Sequence, residues 1–254
     1  MKEKRHEQIL RLLEGQKFVS VNHICQALKV SEMTIRRDLD YLERMGYLTR
    51  TRGGAIAKQE DVVEPLFLQR SKINADKKEV IAQKAASLIE KGDVIGLGVG
   101  STVLALTRKL KPGEANTIVT NWIPNVLETA NMRRQIQTFL FSGMVRAGEF
   151  SVSGDAAVRA IKDFQIDKYF FSVSGIDLTR GLVDYESGES LVTRAFLYHA
   201  KQSFLLVDSS KFDRTAPTTI GPISLVHTVI TDSKIKEEHS KFIESQGVHL
   251  ITVA

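Results

Sequence analysis

From about Asp76 onward the chain alternates helical segments with seven short apolar runs, at 94–97, 117–120, 137–141, 169–173, 204–207, 229–231 and 249–253. Runs this short suit strands buried on both faces, and a helix between successive strands is the crossover that parallel pairing needs. The expected fold of this part is therefore α/β, an open and largely parallel sheet with helices on both faces. No internal repeat or low-complexity tract interrupts the pattern.

Open sheets of this kind bind ligands where their strands end at the carboxyl side. After Leu97 the chain runs Gly98-Val99-Gly100-Ser101-Thr102 into a helix. Glycines let backbone approach an anion, a helix start offers free N–H groups, and the Ser101 and Thr102 hydroxyls add donors. Gly100, Ser101 and Thr102 thus form either a phosphate cradle or simply a tight strand-to-helix turn. The lysine of a P-loop and the third glycine of a dinucleotide fingerprint are missing, so neither ATP nor NAD is implied. Other polar groups fall at equivalent strand ends: Thr120-Asn121, Gly143 with Arg146, Gly175 with Asp177, and Asp208 with Lys211, while Glu189 begins a later helix. Each alone is a common cap or turn former. Together they outline an effector site, with the cradle facing Asp208 and Lys211 from a neighbouring strand end.

The first sixty residues follow a different pattern. Ile9, Leu12 and Leu13 mark a helix from about Lys4 that Gly15 ends, and Ser20 caps a second through Val21, Ile24, Cys25 and Leu28. Lys29-Val30 make a short turn before Ser31 caps a third helix, whose Ile35, Leu39 and Leu42 form a buried stripe. Two helices joined so tightly are a helix-turn-helix. Opposite the stripe, near the start of the third helix, Ser31, Met33, Thr34, Arg36 and Arg37 face outward, where such a helix enters the major groove. Arginine forks suit guanine edges and phosphates. Gly46 supplies a left-handed end, and Tyr47 to Arg50, a turn at Gly53-Gly54, and Ala55 to Lys58 read as a two-stranded wing carrying Arg50 and Arg52 to the DNA backbone.

Charge agrees with this division. The chain carries a formal net charge of +5, and residues 1–58 hold 12 Lys/Arg against 7 Asp/Glu, whereas the remainder holds 23 of each. All of the excess lies where phosphate would be met. Glu60, Asp61, Glu64 and Pro65 break the periodicity, so the expected organisation is a winged helix-turn-helix over 1–58, a linker over 59–75 and an α/β effector-sensing domain over 76–254.

Several function classes fall away. No apolar run approaches the roughly 20 residues of a bilayer span, and the charged start Met1-Lys2-Glu3-Lys4-Arg5 does not read as a secretory signal. A cytoplasmic protein with no membrane partner is expected. Cys25 is the only cysteine, which excludes an internal disulfide and a cysteine-pair zinc site; it reads as a small core residue. The six histidines are scattered, so no metal or other cofactor is implied, and no Gly-x-Ser-x-Gly elbow is present.

The stretch from Val30 to Leu39, followed by Leu42-Glu43, Gly46, Arg50 and Gly53-Gly54-Ala55, resembles the DNA-binding signature of the DeoR family of transcription regulators. Gly100-Ser101-Thr102, Thr120-Asn121, Gly154, Gly175-Ile176-Asp177, Gly181, Glu189 and Asp208 to Phe212 extend the resemblance through nearly the whole chain. It implies a sensor domain with the fold of ribose-5-phosphate isomerase, a phosphorylated sugar or polyol as effector, and release from operator DNA when that effector accumulates. Departures are Arg52, Gly98, Ser142 and Asp213, where many members carry histidine, an acid, glycine and glycine. Operator DNA and the effector are the expected partners, and symmetric operators imply at least a dimer, a homodimer or homotetramer. The alternatives are an isomerase-like enzyme using Asp177 or Glu189 as its base, and a DNA-binding regulator that activates or takes no ligand.

Overall fold

The computed structural model describes residues 2–13, 18–45, 47–57, 67–111, 115–130 and 136–254. The chain divides into two compact units, Met1–Pro65 and Leu66–Ala254. Gly15, Gly46 and Lys58, expected as a helix end, a helix cap and the end of the wing, lie outside the described residues, as does the stretch 59–65 expected to open the linker. Residues 67–75 of that expected linker form a short helix over 67–70 and the turns after it, and fall within the second unit.

In the first unit helix α1 (Lys2–Leu13), strand β1 (Val19–Ser20), α2 (Val21–Leu28), α3 (Glu32–Arg44), β2 (Leu48–Thr51) and β3 (Gly54–Ala57) enclose a core of Ile9, Leu13, Val19, Val21, Ile24, Ile35, Leu39, Leu42, Leu48 and Ala55. Ser20 caps α2, its hydroxyl accepting from the His23 N–H at 3.2 Å. Cys25 packs at the margin of this core. The wing has three strands rather than two, in the order β1-β3-β2. Its two-residue loop places Gly53 at φ +95°, and Gly54 permits the third strand, since a Cβ there would lie 2.3 Å from the Val19 carbonyl oxygen. The hydrophobic stripe of α3 is as the spacing requires, but Asp38 is buried beside it at 1% exposure. Arg5 reaches its carboxylate through Nε at 2.5 Å and Nη2 at 3.1 Å, and His6 Nε2 lies 2.9 Å away, stacked on Tyr41. Burial pushes this carboxyl up, yet the hydrogen bonds from Arg5 and His6 outweigh it and hold Asp38 below the usual carboxylate range.

The second unit begins with α4 (Phe67–Arg70) and α5 (Ala75–Ala86), then runs β4 (Asp93–Leu97), α6 (Ser101–Thr107), β5 (Ala115–Thr120), α7 (Ile123–Ala130), β6 (Gln137–Leu140), β7 (Met144–Val145), β8 (Val152–Ser153), α8 (Asp155–Ile161), β9 (Ile166–Phe171), β10 (Gly175–Asp177), β11 (Gly181–Asp184), α9 (Ser187–His199), β12 (Ala200–Leu206), β13 (Thr218–Gly221), β14 (Thr228–Asp232), α10 (Glu237–Ser245) and β15 (His249–Val253). Seven strands form one parallel sheet in the order β15-β14-β12-β9-β4-β5-β6, one for each apolar run. Alternation assigns their side chains to two cores. Tyr169, Phe171, Leu205 and Val207 pack with Ile161, Val192, Phe196 and Ile243 on one face, while Phe170, Phe204 and Leu206 pack with Ile81, Ala85, Val103 and Leu106 on the other. Helices therefore cover both faces.

Two small antiparallel pieces accompany the sheet: β10-β11-β13, and the pair β7-β8. Neither shows as a long apolar run, which is why periodicity alone misses them. Among the described residues no helix is long and apolar enough to cross a membrane.

Candidate functional site

In the first unit the outward face of α3 presents Met33, at 67% exposure, with Arg36 and Arg37 also exposed. Their states differ. Glu32 holds Arg36 one turn away, at 2.5 Å from Nη2, while Arg37 stands exposed at the same end of the helix. Ser31 occupies the cap position, but its hydroxyl shares a 3.0 Å hydrogen bond with Thr34 Oγ1 instead of accepting from the backbone. In the wing Arg52 is exposed at the loop. Arg50 is not a free contact to phosphate: its guanidinium pairs with Asp40 of α3, and its N–H donates to Glu43 Oε1 at 2.7 Å. Both acids tie the wing to the back of the third helix, so Arg50 orients the wing.

In the second unit the sheet grows outward from β4 through β5 to β6, and β9 then starts on the opposite side of β4. This reversal is a topological switch point, where crossovers diverge and leave a crevice at the carboxyl ends. The loop Gly98-Val99-Gly100 follows β4 and Ser172 to Ser174 follow β9, so both loops border that crevice. Gly100, at φ +146°, begins α6 and passes so near Ser172 that a Cβ would lie 2.8 Å from the Ser172 Cβ. Gly98 is close-packed too: a Cβ there would lie 2.8 Å from the Tyr169 hydroxyl, so a larger residue at 98 would require the buried Tyr169 to shift. Of the cradle hydroxyls, Thr102 turns inward at 3% exposure and Ser101 remains at the surface of the crevice.

Asp208 and Lys211 lie at the end of β12, two strands from β4, with β9 between them. They are not neighbours of the cradle, as sequence order suggested. What joins them is the corner between α4 and α5. Asn74, in the left-handed region at φ +53°, donates from Nδ2 to Asp208 Oδ1 at 3.0 Å. Lys78, buried, donates to the carbonyls of Arg70, at 2.6 Å, and Ile73, and the Arg70 carbonyl also accepts from Ser101 Oγ at 3.4 Å. Lys77 reaches Asp232 at 3.1 Å and Ser209 Oγ at 2.8 Å. Arg70 itself pairs with the buried Glu149 at 2.5 Å.

The crevice is cationic where these parts meet. Lys211 Nζ has the Ser174 carbonyl at 3.5 Å. Burial, and then the nearby Arg70 charge, push the Lys211 ammonium down to about 8, against the raising influence of Asp208. Burial likewise lowers Lys78, with Arg70 adding to it. Buried cations whose charge is opposed by burial and by Arg70, beside a glycine loop and the Ser101 hydroxyl, are an arrangement that an anion would relieve.

Five expected effector residues are engaged otherwise. Thr120 and Asn121 are buried, the first donating to the Leu97 carbonyl at 2.6 Å and the second to the Val152 carbonyl at 3.1 Å; they bind loops to one another. Gly175 packs against the Arg214 backbone, where a Cβ would meet the carbonyl oxygen at 2.5 Å. Asp177 closes the β10–β11 hairpin. Its Oδ1 accepts from Thr179 N and Oγ1 and from Arg180 N at 2.7–3.0 Å, which holds its carboxyl down to about 2. Glu189 is buried in the first turn of α9 and accepts from Ser151 Oγ and from Arg146 Nη1 at 3.1 Å.

Arg70, Asn74, Lys77, Lys78 and Asp232 were not anticipated. A signal existed in the basic residues Arg70, Lys72, Lys77 and Lys78, the first two in the stretch read as linker and the others at the very start of the domain read after it.

Comparison with known proteins follows this division. Residues 5–61 match the model of the DeoR-like helix-turn-helix domain, and residues 73–233 match that of the DeoR C terminal sensor domain. The chain is 33% identical to the lactose phosphotransferase system repressor of Lactococcus lactis subsp. lactis over 94% of each chain. It is 32% identical to the glycerol-3-phosphate regulon repressor of Escherichia coli over 90% of each. Among solved structures, ribose 5-phosphate isomerase A from Methanocaldococcus jannaschii matches with a TM-score of 0.40 and 20% identity over 55% of each chain.

Proposed function

The chain belongs to the DeoR family of transcription regulators, and on that premise we propose that it represses an operon for using a carbon source and leaves its operator when a phosphorylated sugar or polyol binds the sensor. The observation that carries the proposal is the cationic crevice at the switch point, where Arg70 links the two sides, its carbonyl accepting from Ser101 beside the glycine loop and its charge acting on Lys211. Relatives named for a lactose phosphotransferase system and for glycerol 3-phosphate support a small phosphorylated effector. The α3 face with Met33, Thr34 and Arg37 enters the major groove, and Arg52 reaches the backbone from the wing. Two such units on a symmetric operator make the active form at least a dimer, and the regulator works in the cytoplasm, where its DNA is.

Turnover has no place in this reading. Isomerisation needs a carboxylate free to move a proton, and both candidates are engaged, Asp177 in a turn and Glu189 with Arg146 and Ser151. The test is a thermal-shift screen of phosphorylated sugars and polyols, followed by operator binding with and without the hit. A true effector at 100 times its dissociation constant adds about 2.7 kcal/mol of stability, and it should weaken operator binding. Replacing Arg37 with alanine should cost about 1–3 kcal/mol per half-site without altering the thermal shift. Tighter operator binding with ligand would make the protein an effector-assisted regulator, and unchanged binding by Arg37→Ala would remove α3 from the groove.

A further inference from the structure

Glu149 is a buried carboxylate, 6% exposed, in the connection between β7 and β8. It grips both ends of α4. Its Oε1 accepts from the Phe67 N–H at 3.1 Å and its Oε2 from Arg70 Nη2 at 2.5 Å. Its backbone carbonyl accepts from the indole of Trp122 at 2.7 Å, and the Phe67 ring stands edge-on to that indole at 4.8 Å. Phe67, Trp122 and Leu104 form an apolar cluster of their own, apart from the two cores of the sheet. Glu149 thus holds the short helix at both ends and Trp122 and Leu104 pack on its Phe67, while its Arg70 carbonyl accepts from Lys78 and Ser101.

The same Arg70 belongs to the anion crevice, since its charge helps to depress Lys211 and its carbonyl holds Lys78 and Ser101. A phosphate dianion beside Ser101 and Lys211 offers the guanidinium a partner of twice the charge, with a geometry that its planar fork matches in two hydrogen bonds. Phosphate and Glu149 repel each other and compete for one cation. We propose that Glu149 is an internal competitor of the effector's phosphate: it holds Arg70 in the ligand-free sensor and loses it to the bound phosphate, which frees α4 from Glu149 and Trp122. The proposal rests on the anion crevice assigned above and adds to it the residue that sets its affinity. It also names what the ligand moves, because α4 is the first described element after the stretch leading from the DNA-binding unit. A ligand shifts such an equilibrium only by its different affinity for the two arrangements, and here the difference is the Arg70 contact.

Trp122, the only tryptophan of the chain, reports the state of the contact. The experiment titrates the full-length protein with inorganic phosphate, following tryptophan emission and the heat of binding, and compares wild type with Glu149→Gln, Glu149→Asp and Lys211→Ala. Glutamine keeps an oxygen for the Phe67 N–H and removes the charge, so Glu149→Gln should bind phosphate on the order of tenfold more tightly. Its emission without phosphate should already resemble that of phosphate-bound wild type. Glu149→Asp, which restores the charge, should return the affinity toward wild type. Phosphate should shift the emission of wild type itself, a result that depends on no variant folding. If Lys211→Ala loses phosphate while Glu149→Gln binds it no more tightly than wild type, the crevice stands and the competitor does not. Phosphate bound by wild type with no change in emission overturns the release of α4. Equal binding by Lys211→Ala and wild type overturns the crevice, and the competitor with it.

Discussion

At the scale of single residues, the partner that the fold supplies decides what an arginine or a lysine is available for. Arg36 and Arg50 are arginines on a DNA-binding unit, yet Glu32 and Asp40 pair with them, whereas Arg37 is exposed on the same helix. Lys211 is the residue whose protonation matters most. Its ammonium titrates near 8 because burial and Arg70 both oppose the charge, so the free sensor loses that charge as pH rises through this value. Affinity for a phosphorylated ligand should therefore fall above about pH 8, and also below about 6, where a phosphate monoester takes up its second proton. Stability without ligand runs the other way. The folded state binds fewer protons at Lys211 than the unfolded chain does between 8 and 10.5, so stability rises with pH across that window. Lys211→Arg keeps its charge to well above pH 12 and should lose the alkaline limb of the binding profile in calorimetric titrations. A limb that persists in this variant would assign the proton to another group.

At the scale of elements, the recognition helix is placed by a polar contact as much as by its apolar stripe. Asp38 ties α3 to α1 through Arg5 and His6 in a site nearly closed to water. Removing the carboxylate leaves His6 and the part-exposed Arg5 without their partner, at a cost of about 1–3 kcal/mol. Asp38→Ala should therefore unfold the N-terminal unit at a lower temperature and abolish operator binding, while the sensor keeps its ligand response; circular dichroism melts with operator titrations separate the two. The carboxyl is held below its ordinary value of 3.8, so its contribution is complete above about pH 4 and disappears only as pH falls through the folded value. Loss of the N-terminal unit's stability already at pH 5 or 6 would point to a different titrating group. Among elements of the sensor, α4 is the counterpart of α3, four residues whose two ends meet one buried acid, Glu149.

At the scale of the molecule, the division of charge predicts how the protein meets DNA. With the net excess confined to residues 1–58, operator affinity should fall on the order of 10³-fold or more between 50 and 200 mM salt if six or more phosphates are contacted. Anisotropy titrations across that range measure the slope, and a flat profile would place the excess charge away from the duplex. Two kinds of information built this molecule. The sequence by itself determined the order of its elements: seven apolar runs became seven strands, Ile35, Leu39 and Leu42 became the inner stripe of α3, and Ser20 and Gly53 became a cap and a turn. Those signals act over two to four residues, where backbone geometry repeats, so they are legible along the chain. Membership of the site was decided by tertiary structure. Only the strand order put β9 between β4 and β12 and opened the crevice beside Gly98 to Ser101, and only packing brought Arg70 to Glu149 across 79 residues of sequence and Asn74 to Asp208 across 134. A threonine, asparagine or aspartate looks the same in sequence whether it binds a ligand or, like Thr120, Asn121 and Asp177, satisfies the backbone around it, because the choice is made by whichever partner the fold brings within hydrogen-bond reach.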